Sequence, residues 1–409
     1  MQTKEHSILQ MYNGTRTKTL GSKLLKCYRN GKYYLIKFLV VKKNVQTIIG
    51  CKDSQRCKFI KVLENDEINY VDSNTLDKDE LLNTYGDVFS GRGILGKEYE
   101  IVLDPSVTPV IDPPRRVPFT LHKQLREKLD DMEKKGYIVK MSEPSDWVSS
   151  LVVVKKPESG KLRICLDPTH LNKAIKRHHY QMPCIDEIVA KLGEAKVFSV
   201  VDAKDGFWQV PLKEESSALT CFNTPFGRYR WTVMPFGIKS APEVFQQRMV
   251  EALEGLNGVA VVADDVLIYG EGETMEQAKV DHDINLRKLM DRCRERKIKL
   301  NKEKIKLRKS ELTYIGHVLT KNGLKADPRK IEAVKNMKSP DNIKALKRFL
   351  GMVSYLQKFL PDISSKTESL RMLDRKNVDW MWTTRHEKDC QMIKDLICKS
   401  PILKYFDQN

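Results

Sequence analysis

Residues Val259 to Gly270 read Val-Ala-Val-Val-Ala-Asp-Asp-Val-Leu-Ile-Tyr-Gly. Two apolar runs rich in β-branched residues flank adjacent carboxylates, and Gly258 and Gly270 bound them. The pattern predicts a tight β-hairpin with Asp264 and Asp265 at or beside its turn. Side-by-side carboxylates on an apolar hairpin repel each other and lose hydration. A cation should therefore sit with them, and a hard divalent cation is the natural partner of oxygen ligands. Asp also favours turns, so a solvated Asp-Asp turn stands as the plain alternative.

A second stretch weighs against that alternative. Val197 to Leu212 reads Val-Phe-Ser-Val-Val-Asp-Ala-Lys-Asp-Gly-Phe-Trp-Gln-Val-Pro-Leu. Here too an apolar strand runs into an acid, Asp202, and Gly206 and Phe207 follow. Such a strand can bring Asp202 to the hairpin, giving three carboxylates at one point. That set suits a two-metal site, which activates an attacking oxygen and stabilises a leaving one in phosphoryl transfer.

Between these stretches lies Val233-Met-Pro-Phe-Gly-Ile-Lys-Ser-Ala-Pro242. The three segments, in this order and spacing, resemble the palm motifs of reverse transcriptases, most closely those of gypsy-type long-terminal-repeat retrotransposons. The resemblance extends over residues 85–409. It implies an α+β right-hand polymerase of fingers, palm and thumb, behind a partial β retropepsin-like segment. It implies RNA-directed DNA polymerase activity, with deoxynucleotides added to a primer 3′-hydroxyl on an RNA or DNA template. Asp202, Asp264 and Asp265 would hold two Mg²⁺, with Mn²⁺ a substitute. One departure stands out: Val262, two residues before Asp264, occupies a position where the family usually has Tyr or Phe.

The nucleotide pocket is read from the neighbouring residues. Ser149–Pro157 and Leu162–Asp167 form a predicted hairpin with Lys156 and Arg163 near its tip. Arg forks onto phosphate oxygens and Lys supplies a point charge, so this tip suits a triphosphate. The family uses a Lys and an Arg at matching places. Lys155 and Lys156 both fit, and the spacing favours Lys156. Gly206, after Asp205, lets backbone approach phosphate closely. Phe207 lies where the family places its sugar gate, and Phe236 and Gly237 where its pocket is lined.

Further along, Thr120 to Gly136 reads as a helix capped by Thr120, with Leu121, Leu125, Leu129 and Met132 on one stripe. Thr274 and Gln277 form a capping-box match opening a long helix, in which His282 is a packed residue rather than a ligand. Leu312–Leu319 reads as a strand. With the turn after it, it resembles the family's primer grip, carried by Ile315, Gly316 and His317. Ser339-Pro340-Asp341 opens a basic helix whose apolar stripe suits a thumb.

The upstream segment contains a predicted hairpin, Lys23–Tyr28 and Tyr33–Val41, then Thr47-Ile-Ile-Gly50 and a short helix. This looks like the C-terminal half of a retropepsin, but no Asp-Thr-Gly or Asp-Ser-Gly occurs in the chain. The expected organisation is therefore a truncated protease remnant over 1–62, a linker and lead-in strand over 63–118, fingers and palm over 119–326, and a thumb over 327–409. The thumb would lead toward a missing ribonuclease H domain. Protease and ribonuclease H activities are expected to be absent.

Composition is consistent with this reading. The 409 residues carry 72 Lys and Arg against 54 Asp and Glu, a net +18, which favours a polyanionic partner. The sequence lacks an apolar stretch of spanning length and an N-terminal signal core, so a soluble intracellular protein without a membrane partner is expected. Its place would be the cytoplasm, a virus-like particle or the nucleus. A non-catalytic nucleic-acid-binding relic is the competing reading, and the three acids favour the enzyme. Nothing in the sequence fixes the oligomeric state.

Overall fold

The computed structural model describes residues 2–3, 8–10, 16–29, 32–42, 51–57, 60–62, 68–70, 77–155, 160, 162–360, 362–375, 378–399 and 402–405. The chain divides into two compact units, 1–76 and 77–409.

In the first unit, strand Arg16–Arg29 pairs antiparallel with Lys32–Val41, from Arg29↔Lys32 to Thr19↔Val41, with a bulge between Thr19 and Gly21. This is the predicted hairpin. Short strands Gln2–Thr3 and Ile8–Gln10 also pair with Arg16–Arg29. A short helix, Cys51–Arg56, follows.

The second unit is built on a four-stranded antiparallel sheet. Its order is Val259–Val262, Asp265–Glu271, Ala195–Asp202, Lys306–Lys309. The apolar runs that follow Asp265 and precede Asp202 become its two central strands, with Val259–Val262 at one edge, and Phe198, Val201, Val266, Leu267 and Ile268 are fully buried. Helix Met275–Glu295 covers one face. The Thr274–Gln277 capping box is formed, and His282, Leu286, Leu289 and Cys293 are buried as the stripe predicted. A Cβ at Gly270 would meet the Ala278 carbonyl at 2.0 Å, so this close helix–strand approach requires glycine.

A second hairpin pairs Ser150–Lys155 with Leu162–Asp167, placing Val154 opposite Arg163. Lys156 lies outside the described residues. Helix His122–Lys134 buries Leu125, Leu129 and Met132. Its start differs from expectation. A 3₁₀ turn, Phe119–Leu121, precedes it and Thr120 makes no capping bond. The Pro118 ring favours the tight turn, which absorbs the residue expected as cap.

Residues 77–118 belong to the second unit by contact. Leu81, Val88, Leu95 and Ile101 are buried. The amides of Ile94, Leu95 and Tyr99 donate to Lys297, Gln209 and Pro211 carbonyls at 3.0, 2.6 and 2.7 Å. After the helix Lys78–Thr84, the prolines from Pro105 to Pro118 favour an extended path, and the amides of Ile94, Leu95 and Tyr99 are satisfied by carbonyls of the same unit.

The segment 311–326 is a three-stranded meander: Glu311–Tyr314, His317–Thr320 and Gly323–Ala326. The single strand expected over 312–319 is broken by a two-residue turn at Ile315 and Gly316, with φ of 46° and 73°. A β-branched residue in the left-handed region gives no sequence signal of a turn. Helix Ile343–Leu356 is capped by Asn342, whose side chain accepts from the Ala345 amide at 2.8 Å. Asn342 displaces Pro340 as the start signal because its carbonyl oxygen satisfies an orphan N–H, which proline cannot do. Leu346, Leu350, Val353 and Leu356 are buried, as is Phe349. They share one core with Phe198, Leu267, Leu312 and Tyr314 of the sheet. Among the described residues, no helix is long and apolar enough to cross a membrane.

Candidate active site

Asp202 ends its strand directly opposite Asp265 in the ladder, and Val262 pairs with Asp265 across a two-residue turn, Ala263-Asp264. The three predicted carboxylates therefore meet at one end of the sheet. Ala263 has a φ of 50°, a strained value for alanine. Gln246 holds it. From the buried face of helix Ala241–Leu253 its carboxamide accepts from the Ala263 amide at 2.6 Å and donates to the Val261 carbonyl at 2.9 Å. The Ala203 amide donates to the Asp264 carbonyl at 2.7 Å, tying the Asp202 strand to the same turn. Val262 packs against the core.

The electrostatics are those of concentrated negative charge. Burial, then the charges of Asp202 and Asp265, push the Asp264 carboxyl up to about 6. Burial, then Asp202, raises Asp265 as well. Asp264 Oδ1 is buried and makes no hydrogen bond. A Cβ at Gly206 would lie 2.6 Å from that oxygen, so glycine leaves the space it occupies. Lys304 is bonded directly to the acids: its Nζ donates to Asp202 Oδ2 at 2.7 Å, and that bond raises the lysine's pKa. Lys304 was not singled out by sequence reasoning. It lies far along the chain, and only the fold brings it in. Among the described residues, no three His, Cys, Asp or Glu side chains close into a ligand cage. An orphaned carboxylate oxygen beside two further carboxylates nonetheless fits a hard cation better than any apolar or anionic group.

Beside the acids is an aromatic pocket. Phe207, half-buried, lies 5.1 Å from the Phe236 ring and 5.6 Å from Phe245, edge-on to the latter. The Arg163 guanidinium sits over Phe236 at 4.7 Å. Gly237, with φ of 115°, lets this break approach the return strand of the 150–167 hairpin. A Cβ there would strike the Leu166 carbonyl at 2.4 Å. Asn172 locks the approach by donating to the Gly237 carbonyl at 2.8 Å and accepting from the Lys239 amide at 2.9 Å. Arg163, Phe207, Phe236 and Gly237 are thus brought together. Asp205 stands on an exposed left-handed turn, φ 59°, and accepts from the Tyr137 hydroxyl at 3.2 Å.

Gln209 is a second residue the sequence did not signal. It is 2% exposed. Its amide donates to the Lys204 and Lys299 carbonyls at 2.7 and 2.8 Å, and its oxygen accepts from the Lys299 amide at 2.9 Å. It thereby ties the turn bearing Asp205, Gly206 and Phe207 to the segment leading to Lys304.

The Ile315-Gly316 turn is tied to the acids from behind. The Tyr314 hydroxyl donates to the Asp265 carbonyl at 3.1 Å. His317 is 3% exposed and stacks on Tyr355 at 5.3 Å. Burial lowers its pKa. It is a buttress of the turn, and Ile315 and Gly316 form the outward part.

Known proteins resemble this chain in sequence and in fold. Residues 154–319 match the family described as reverse transcriptase (RNA-dependent DNA polymerase). The chain is 30% identical over 358 residues to an uncharacterized protein, K02A2.6, of Caenorhabditis elegans, covering 86% of this chain and 27% of that protein. It is 32% identical over 295 residues to the retrovirus-related Pol polyprotein from transposon 412 of Drosophila melanogaster, covering 70% of this chain and 23% of that polyprotein. The chain thus spans about a quarter of the length of these relatives. It also shares the fold of a foamy viral protease-reverse transcriptase solved in complex with ds DNA. The TM-score is 0.72 at 19% identity, over 98% of this chain and 72% of that one.

Proposed function

We propose that the second unit is an RNA-directed DNA polymerase of the gypsy type, adding deoxynucleotides to a primer 3′-hydroxyl on an RNA or DNA template. The observation that carries this is the meeting of Asp202, Asp264 and Asp265 at one sheet end, with a buried carboxylate oxygen left unpaired. These three residues would hold two divalent cations, Mg²⁺ by preference. Bound there, the ions would lower the pKa of the primer hydroxyl and stabilise the leaving pyrophosphate.

The chain's own residues do the rest. Arg163 braces the triphosphate, its guanidinium oriented by the Phe236 ring. Lys156 is the proposed second phosphate cation. Asp205 and Gly206 shape the turn that sets Phe207 under the sugar, and Gly237 admits the nucleotide beside the hairpin. Ile315, Gly316 and His317 form the proposed primer grip, linked to the acids by Tyr314. Lys304 neutralises Asp202 and offsets part of the charge of the carboxylate cluster. Retropepsin chemistry is not assigned to residues 1–62, because the chain has no Asp-Thr-Gly or Asp-Ser-Gly.

The relic reading draws on one observation: Lys304 already holds an oxygen of Asp202. Primer extension on poly-rA/oligo-dT with Mg²⁺ decides between them. Extension that disappears with Asp264→Asn supports the polymerase. A wild-type chain that binds the duplex and extends nothing supports the relic.

A further inference from the structure

We propose that the Arg16–Arg29/Lys32–Val41 hairpin of the first unit is a docking platform for single-stranded RNA. The sequence around it has a one-sided charge. No Asp or Glu occurs between Glu5 and Asp53, and the two paired strands carry seven Lys and Arg. A retained core segment of an aspartic protease has no need of this bias.

The hairpin also exposes the wrong residues for a solvated face. Opposed residues of an antiparallel pair share a face, as do residues two apart. Tyr28 is opposite Tyr33, so both rings and Lys26 lie on one face. Both tyrosines are 64% exposed, and Leu24 on the same face is 54% exposed. The two rings lie 4.9 Å apart, and Lys26 Nζ sits 4.2 Å from the Tyr33 centroid. Large exposed rings interleaved with lysines are what an unpaired polynucleotide needs. Bases stack on the rings and phosphates meet the cations. Lys26 and Lys37 lie on this face and neither strand carries a carboxylate, so a second copy would meet like charge with like and self-association on this face is disfavoured. RNA is named because, under the polymerase reading, the unpaired strand is the RNA template; the platform rests on that reading for this choice alone.

The test uses the full chain saturated with a blunt primer–template duplex, so that the polymerase unit is occupied. A labelled oligouridylate is then titrated by fluorescence anisotropy. Tyr28→Ala/Tyr33→Ala should weaken its binding at least about tenfold, the loss expected for removing base-stacking rings. Tyr28→Phe/Tyr33→Phe, which keeps the rings, should retain affinity. Both pairs sit on the surface, so melting temperature serves as the control for folding. Equal affinity in wild type and the Ala variant overturns the platform. So does a dimer in sedimentation that the Ala variant splits while RNA affinity is unchanged. Extension on a standard primer–template is measured in parallel. Lost extension with intact oligouridylate binding sinks the polymerase reading alone, and the converse sinks the platform alone.

Discussion

Two two-residue hairpin turns border the candidate site, one with positive φ at its first residue and one with positive φ at both. Ala263-Asp264 joins Val259–Val262 to Asp265–Glu271, and Ile315-Gly316 joins Glu311–Tyr314 to His317–Thr320. Each puts a non-glycine residue at positive φ, Ala263 at 50° and Ile315 at 46°. Such residues persist only where their surroundings hold them. The surroundings differ. Gln246 clamps the first turn from inside, through backbone bonds, and leaves the Asp264 carboxylate without a partner. Tyr355, on the helix Ile343–Leu356, covers the second, with its hydroxyl 3.2 Å from the Gly316 carbonyl and Lys330 over its ring at 3.4 Å. Under the proposed function, the first turn would present its carboxylate to a metal ion and the second its backbone to the primer. The Tyr314 hydroxyl, donating to the Asp265 carbonyl, joins the two turns.

The comparison breaks first at the carboxylate. Asp264→Asn should abolish extension while duplex binding stays near wild type, because binding comes from Lys and Arg. Losing one charged ligand forfeits several kcal/mol, on the order of a thousandfold or more in rate. Side-by-side assays of extension and duplex affinity check it; near-wild-type extension would remove the reactive half of the comparison.

The same substitution has a pH signature. The Asp264 carboxyl is raised to about 6, so the folded chain holds this proton more tightly than the unfolded one, whose value lies near 3.8. The folded state is therefore favoured below both values and penalised as pH rises through about 6. Without divalent cations, Asp264→Asn should melt higher than wild type at pH 8, and the gap should close at pH 4. A gap independent of pH would show that Asp264 is not the strained group.

Phe207 sharpens the comparison from the nucleotide side. Its ring is half-buried between Phe236 and Phe245, so it has both a packed edge and an open one. Overpacking by a 2′-hydroxyl costs about 1–3 kcal/mol, roughly tenfold to a hundredfold in discrimination. Phe207→Val should keep dCTP extension and raise the kcat/KM for rCTP by that factor. An unchanged ratio in a well-folded variant would make the ring a packing residue only.

What the sequence made legible was local. Apolar β-branched runs, a capping box and helical stripes come from neighbours in the chain, and they gave the Asp264 hairpin, the Asp202 strand and the His282 stripe correctly. Helix starts were less well placed, because rival start signals lie within a few residues of each other, Pro118 and Thr120 before His122–Lys134 and Pro340 and Asn342 before Ile343–Leu356. The strand over 312–319 hid a turn because isoleucine is the residue least expected there. Gln246, Gln209, Lys304 and Tyr355 were invisible for a different reason. Each acts on a segment distant in sequence, through a polar side chain that looks like any other surface residue. A buried glutamine inside an apolar helical stripe, as at Gln246, is the one signal that could have been noticed.

Between the two clamps the expected effects separate by kind. Gln246→Leu leaves the Ala263 amide and Val261 carbonyl unpaired in a buried place, at about 1–3 kcal/mol. Its loss should fall on kcat, about fivefold to a hundredfold, because the turn that relaxes carries the acid. Tyr355→Phe removes only a half-exposed hydroxyl, at about 0.5–1.5 kcal/mol. The ring stays to stack on His317 and to receive Lys330, so the turn is loosened rather than released. The consequence should be a rise of a few-fold in KM for primer–template, with kcat nearly unchanged. Steady-state kinetics in both substrates separates the outcomes. If Tyr355→Phe lowers kcat as Gln246→Leu does, the two turns move as one body through Tyr314, and the division between a reacting turn and a presenting turn fails.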